Sequence, residues 1–579
     1  MCRRCAILVV GVMVMSGMSR GIVRGQEMAD LVLVGGKIIT VDASFSIHRA
    51  MAVKGDRILA VGSDADIARY QGAQTQVIEL GGRVVMPGLI DSHLHATSAA
   101  MTEFDHPIPQ METIAEVLDY IQSRVRALPA GQWIWVSQVF LTRLKEARYP
   151  TRAELDAVAP RHPVVFQTGP DASVNSLALE LSGMDKDWQV DDGGYGHAEK
   201  DPATGELTGI LRSCTRCLKY VPSTQDPTPD QHRALLKTLL ADYNRVGITS
   251  VGERDTGPSD IALYQALRER GELTVRAFLS RHVETNQPLE QIRAAIEEIA
   301  HAPTFQGDSM LRVPAAKFYM DGGMLTGSAY MRQPWGVSRF YNITDPQYRG
   351  VRFIPEDKLV PIVETCMQHN VQFMAHSVGD GAVHALIDAC VSLAGQYDLR
   401  EKRPVICHSN FMSPEAVELV ARHGICLDIQ PAWLYLDARA LLNHFGSERL
   451  TWFQPLRSLF AAGAIAGGGS DHMQKIGSLR ANNFYDPWLA MWVAMTRQAR
   501  WLDQPLHPEQ AISRVEAIRF YTINNAYLLF AERERGSLEA GKLADFIVLE
   551  DDILTCPLDQ VKDITVSRTY LGGKLVFSR

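Results

Sequence analysis

Pro87-Gly88-Leu89-Ile90-Asp91-Ser92-His93-Leu94-His95 is a short apolar strand ending on two histidines spaced two apart. Side chains i and i+2 of a strand point to the same side, so His93 and His95 project together. Two neutral imidazoles so placed are good ligands for zinc or a similar divalent ion. Taken alone, a His-x-His pair is more often two hydrogen-bonded core histidines, so the reading turns on the rest of the chain.

Outward from that strand, short apolar segments alternate with helical ones, the order that builds a parallel sheet wrapped in helices. Strands are expected near 89–95, 247–252, 274–280, 313–319, 371–376, 404–408, 425–430 and 464–470. The clearest amphipathic helices between them are Gln231 to Val246, Leu289 to Ala300, Glu356 to Asn370 and Pro414 to His423. Eight such units close an α/β (β/α)8 TIM barrel. The stretch of about 97–246 after the first strand is too long for one crossover helix and is expected to hold an insertion. Glycine-punctuated β segments open the chain at Ala29 to Val41 and Ala50 to Val61, and the same texture returns from Gly541 onward. The Gly35-Gly36-Lys37 turn recurs as Gly572-Gly573-Lys574. Each set reads as hairpins, and neither has strands enough for its own core, so the two chain ends are expected to pair.

The other strand ends carry matching polar groups. The fourth ends Lys317-Phe-Tyr-Met-Asp321, the fifth His376-Ser-Val-Gly-Asp380, the sixth His408-Ser and the eighth Gly467-Gly-Gly-Ser-Asp471-His472. A lysine inside an apolar strand is costly unless it is paired or chemically altered. Singly, each residue has an ordinary explanation: a satisfied core histidine, an aspartate capping the next helix, or Lys317 paired with Asp321. At five strand ends, on the face where barrels carry catalysis, they describe two adjacent divalent metals sharing ligands. Such a pair activates water and polarises a carbonyl.

Together with Val174-Asn-Ser-Leu-Ala-Leu, Thr204-Gly-Glu-Leu-Thr-Gly-Ile-Leu, Tyr521-Thr-Ile-Asn-Asn-Ala and Gly536-Ser-Leu-Glu-Ala-Gly-Lys-Leu-Ala-Asp, these residues carry a resemblance. The sequence resembles the amidohydrolase superfamily, in its amidohydrolase-3 group of YtcJ-like proteins that includes N-substituted formamide deformylase. The likeness runs from about residue 29 to the C-terminus. It implies a distorted TIM barrel over 87–530 and a small β-sandwich assembled from both chain ends, 26–86 and 531–579. It also implies that His93, His95 and Asp471 hold the more buried metal and that His376 and His408 hold the second. Lys317 matches a position that is carboxylated in related members, where the carbamate bridges both ions; a single ion is the alternative. The metal implied is zinc, and the reaction is hydrolysis of a C–N bond in a small linear amide by metal-activated water. Asp471 would move the proton from that water to the leaving amine. Deamination, ester or carbamate hydrolysis, or isomerisation on the same barrel stay open, as does a binding protein on a retired barrel. Met324, Tyr330, Trp433, Tyr435, His472 and Met473, on loops after the strands, are candidates for an apolar substrate pocket. Asp321 and Asp380 either orient metal-bound groups or cap the following helices. Two departures from the family fall near the substrate side. Many relatives carry a histidine where this chain reads Gly169-Pro-Asp171-Ala-Ser-Val, and many carry tryptophan at the place of His472.

Composition is ordinary for a globular chain, with 46% apolar and 21% charged residues among 579. A net charge of −8 and the lack of a basic block argue against a nucleic-acid partner. The longest apolar run, Ala6 to Met15, is too short to span a bilayer. Preceded by Arg3-Arg4 and followed by Val23-Arg24-Gly25, it reads as a secretory signal peptide over 1–25, sending the protein to the periplasm or outside. The alternative is a true start at Met28 and a cytoplasmic protein. Nine dispersed cysteines are no disulfide framework. Cys214 and Cys217 are a lone CxxC pair, either ordinary thiols or one local disulfide after export. The expected partner is a small-molecule substrate, and a homodimer is the base-rate assembly.

Overall fold

The computed structural model describes residues 27–137, 139–169, 171–192, 196–222, 227–341 and 343–579. The segment read as a leader lies outside them. Eight parallel strands run in chain order around a barrel: β1 (Leu89–Leu94), β2 (Ile248–Thr256), β3 (Arg276–His282), β4 (Leu311–Tyr319), β5 (Gln372–Ser377), β6 (Val405–His408), β7 (Cys426–Ile429) and β8 (Ala466–Gly468). Both faces of these strands are covered, so they read as continuous apolar runs and not as alternating ones. The helices between them carry their own punctuation. Pro414–His423 starts on the Ser413 side chain and stops at Gly424 in the left-handed region, while Pro229–Arg245 starts on a Thr228/Gln231 capping box.

The barrel closes between β8 and β1 without a regular ladder. Asp471 N–H donates to the His93 carbonyl (2.7 Å) and His95 N–H to the His472 carbonyl (2.7 Å). The Asp91 carboxylate accepts from both His93 N–H and Ser470 N–H, and the Asn525 amide donates to the carbonyls of Ile90 and Gly468. Asn525, from the Tyr521-Thr-Ile-Asn-Asn motif, is therefore the staple across the seam. A Cβ at Gly469 would lie 2.8 Å from the His93 Cβ, which explains glycine where the two strands approach most closely.

Between β1 and β2, a separate five-stranded sheet is built from Ile134–Val136, Val164–Thr168, Asp171–Val174, His197–Lys200 and Leu207–Arg212. Asn175 caps the next helix, Ser176–Ser182, through Ala178 N–H and also accepts from Val164 N–H.

The chain ends meet in a sandwich. One sheet holds Leu31–Val34, Ala50–Lys54, Arg57–Gly62 and Gln76–Glu79. The other pairs Phe546–Leu549 from the C-terminal end with Val84–Pro87 from the N-terminal end, and Leu33, Met51, Ile78, Phe546 and Tyr570 share one core. One hairpin expectation is corrected. Leu31–Val34 and Lys37–Ile39 do not pair with each other; the chain crosses at Gly35-Gly36 from one sheet to the other, so that each layer gains a buried strand.

Barrel and sandwich are pinned by a buried ion pair. Arg276 on β3 donates through Nε and Nη2 to both oxygens of Asp545 (2.6 and 2.8 Å), which also accepts Gly572 N–H. Replacing Asp545 by alanine strands that guanidinium in the interior, an expected loss of about 3–5 kcal/mol. Denaturant unfolding of the variant measures it; a change under about 1 kcal/mol is what an exposed pair would give.

Candidate metal centre

Five of the residues singled out from strand ends converge at the C-terminal mouth of the barrel. The His93 ring lies 5.4 Å from His95 and 4.8 Å from His408, and His408 lies 4.5 Å from His376. Asp471 Oδ1 is 3.2 Å from His95 Nε2 and 3.6 Å from His93 Nε2. Asp471 holds a left-handed backbone (φ 52°), which turns its carboxylate inward.

Three of the imidazoles are oriented alike. His93 Nδ1–H donates to Asp428 (3.0 Å), His95 Nδ1–H to the Arg254 carbonyl (3.0 Å) and His408 Nδ1–H to Gln430 Oε1 (2.7 Å). Each Nε2 is thereby left with its lone pair, and His93 Nε2 is buried without a hydrogen-bond partner. Burial, reinforced by neighbouring cationic groups, holds His93 and His408 well below the usual imidazole range and His376 at about 3. His95 is shifted upward: burial opposes the charge, but the Asp471 carboxylate outweighs it. Neutral imidazoles at His93, His376 and His408, with His95 held against the Asp471 carboxylate, fit a divalent cation. The donor atoms of His93, His95 and Asp471 lie within 4.8 Å of one another. Those of His93, Cys407 and Asp428 do too, but Asp428 is already occupied by Ser92, His93 and Gln430.

His376 presents Nε2 to the Gly322 carbonyl (3.3 Å). Lys317 is 1% exposed and has no hydrogen-bond or ion-pair partner among the described residues. Asp321 does not pair with it. Its carboxylate accepts from the backbone of Tyr330, Val378 and Gly379, and burial lifts it to about 8. Asp380 accepts from Arg332 N–H.

The substrate candidates divide. Trp433 lies with its ring 5.2 Å from His408, buried, its indole N–H without a partner. Tyr435 lines a cavity of about 310 Å3, and Tyr330 lines a different cavity of about 470 Å3 beside Arg332 and Arg349. Met324 is buried in the barrel core and Met473 packs partly buried against it. His472 turns away: Tyr243 O–H donates to its Nδ1, and its Nε2–H donates to the Lys475 and Gln474 carbonyls. Both ring nitrogens are spent inside the protein. Cys214 and Cys217 carry free thiols.

Sequence reasoning passed over several groups. Asp428 and Gln430 set the tautomers of His93 and His408. Glu253 receives Ala96 and Thr97 N–H, capping from β2 the helix that starts after His95. Asp255, with φ 64° beside an irregularity in the β2–β3 ladder, accepts from His282 Nδ1 (2.5 Å) and Tyr319 O–H (2.9 Å). The left-handed backbone aims its carboxylate at the mouth. Against the cost of burial, the His282 bond holds it at about 2. A charged residue amid a hydrophobic strand was the signal for Asp428, as it was for Lys317. Its removal as Asp428→Ala is expected to weaken metal affinity about 10–100-fold, measured by competition with a chromophoric chelator. Unchanged affinity would remove Asp428 from the centre's support.

The amidohydrolase family model matches residues 76–577, and the chain belongs to that family. It is by class a metal-dependent hydrolase acting on C–N bonds. Over 573 residues it is 28% identical to N-substituted formamide deformylase of Arthrobacter pascens, covering 96% of this chain and 99% of that one. In fold it is similar to a metal-dependent hydrolase of Pyrococcus horikoshii OT3 (TM-score 0.66, 20% identity, 91% and 99% of the two chains). It is also similar to atrazine chlorohydrolase TrzN of Arthrobacter aurescens TC1, solved with zinc (TM-score 0.50, 16% identity, 95% of each chain).

Proposed function

We propose that the protein hydrolyses the C–N bond of a small linear amide of the N-substituted formamide kind, with zinc held by His93, His95, Asp471, His376 and His408 and with Lys317 carboxylated between two ions. The observation that carries this is the cluster of His93, His95 and Asp471, whose donor atoms lie within 4.8 Å of one another, beside His408, with Nδ1 of all three histidines engaged by a fixed partner. The likeness to a formamide deformylase along nearly the whole chain supports the bond type, and the zinc of the triazine hydrolase supports the ion. Bound there, a divalent ion supplies acidified water and a polarised carbonyl.

The chain's own groups do the rest. Asp471 points Oδ1 at the histidines, while Asn483 donates to its backbone carbonyl (2.7 Å) and, more weakly, to Oδ2 (3.4 Å). The Asp471 carboxylate so held would take a proton from water and hand it to the departing nitrogen, which leaves as an amine. Buried Trp433, against His408, excludes bulk water from that side.

The test is purified protein assayed on N-(2-phenylethyl)formamide, an acylated amine, a carbamate and an aminopurine. Formate and amine release that chelator abolishes and zinc restores is expected. Turnover confined to the carbamate or the aminopurine, or activity indifferent to chelation, would overturn the reading.

A further inference from the structure

His282 ends β3 at the mouth of the barrel, outside the cluster already described. Register fixes which way it faces. It stands opposite Lys317 in the β3–β4 ladder, as Tyr319 stands opposite His376 in the β4–β5 ladder. Residues opposite one another in a ladder share a face, and so do positions two apart on one strand. His282, Lys317, Tyr319 and His376 therefore form one continuous wall. The Tyr319 ring joins its members, 6.1 Å from the His282 ring, 5.3 Å from the His376 ring and 5.3 Å from Lys317 Nζ. Lys317 is buried, whereas 40% of the His282 side chain stays exposed, so His282 is the solvent-side end of that wall.

Asp255 ties the wall together. Its Oδ1 accepts from His282 Nδ1–H (2.5 Å) and its Oδ2 from Tyr319 O–H (2.9 Å). Its charge is felt at His95 and His376, two members of the cluster. To reach both partners β2 carries an extra residue: Glu253 pairs with Leu279 and Thr256 with Arg281, three steps against two, and Asp255 sits in that bulge with its left-handed backbone. Bulges of this kind re-aim side chains beside active sites. The ordinary explanation is an ion pair that closes the barrel rim. A pair with a partner this exposed returns little stability, which leaves the bulge and the left-handed aspartate unaccounted for. Both Asp255 oxygens are taken, so its part is to orient. With Nδ1 engaged, His282 has Nε2 left over; that nitrogen makes no hydrogen bond among the described residues, and Glu284 Oε2 stands 3.9 Å away.

We propose that His282 is a specificity-determining residue, which hydrogen-bonds through Nε2 to the part of the substrate that projects from the metal centre along this wall, and that Asp255 is the positioning residue that aims it. The substrate class that fits is an amide whose nitrogen substituent carries a neutral hydrogen-bonding group, a hydroxyl above all; a hydrocarbon substituent leaves Nε2 unmatched. This rests on the reading of the centre as a C–N hydrolase. Because His282 is half-exposed, water replaces the contact when the group is missing, so the discrimination is modest.

The experiment compares N-(2-hydroxy-2-phenylethyl)formamide with N-(2-phenylethyl)formamide, which differs only by the hydroxyl, on the zinc-loaded wild type, His282→Ala, Asp255→Asn and the double variant. Wild type is expected to favour the hydroxyl compound about tenfold in kcat/KM, the size of one hydrogen bond. His282→Ala brings the ratio of the two substrates near one, Asp255→Asn moves it most of the way, and the double variant matches His282→Ala because Asp255 acts through the histidine. The ratio is read within each variant, so a structural defect that slows both substrates alike does not mimic the result. A wild-type ratio at or below one, or a ratio unchanged in His282→Ala, overturns the proposal; a ratio unchanged in Asp255→Asn overturns the positioning role. If neither compound is turned over, the hydrolase reading fails on its own. Calorimetric titration of the same two compounds into wild type and His282→Ala then decides the wall: tighter binding of the hydroxyl compound that His282→Ala abolishes upholds it, and equal binding or none overturns it.

Discussion

Replacing Asp471 by asparagine is expected to lower kcat by about a thousandfold, within the range of positioned acid–base groups, while metal content stays near that of the wild type. Asparagine keeps an oxygen at the Oδ1 position beside His95 Nε2, and His93, His95 and His408 keep their orienting partners. What it loses is the ability to accept a proton from water and release it to an amine. Steady-state kinetics with metal analysis on the same preparation checks this. A kcat within about tenfold of wild type would assign the proton to another group. Loss of metal together with activity would make Asp471 a ligand and nothing more.

Lys317→Met is expected to separate activity from stability. Lys317 is buried on β4 without a hydrogen-bond or ion-pair partner among the described residues, and its ammonium nitrogen lies 5.3 Å from the Tyr319 ring centre. A methionine of similar length removes the cost of burying that polar group, so the thermal midpoint of the metal-free protein should hold or rise by a few degrees. On the proposed reading of Lys317 as carboxylated, activity should fall at least about a hundredfold and metal content should drop, because methionine can form no carbamate. Calorimetry, kinetics and metal analysis read the three effects. A fall in midpoint that accompanies the fall in activity would mark the lysine as structural. Full activity with two ions would end its assignment to the centre. Wild-type apoprotein supplies a companion measurement: recovery of activity with zinc should be faster with bicarbonate than without it.

The barrel was legible because its strands are short apolar runs bounded by glycine and proline, and all eight lie within a few residues of where the pattern puts them. Helix ends were less legible. Glu356–Gln368 stops short of Asn370, which takes a left-handed backbone (φ 56°) that residue type alone does not announce. The chain ends showed strands without showing partners. Nothing in Gly35-Gly36 distinguishes a hairpin from a crossing between layers, since glycine permits both. At the site, His93 and His95 stand out by spacing and Lys317 by its cost. His472 drew attention as the neighbour of Asp471, yet the left-handed turn at Asp471 sends the two side chains apart, and Tyr243, far away in sequence, claims the histidine.

Periodicity, the polar groups at strand ends and the cost of a lysine in an apolar strand are local properties, so the sequence alone determined the barrel and which side chains could meet at its mouth. Tautomers, counterions and cavities depend on partners hundreds of residues apart. Asp428 orients His93 across 335 positions, and Asn525 joins the seam across 435. Such contacts have no sequence period, because packing of separate elements creates them; only the tertiary structure decided them.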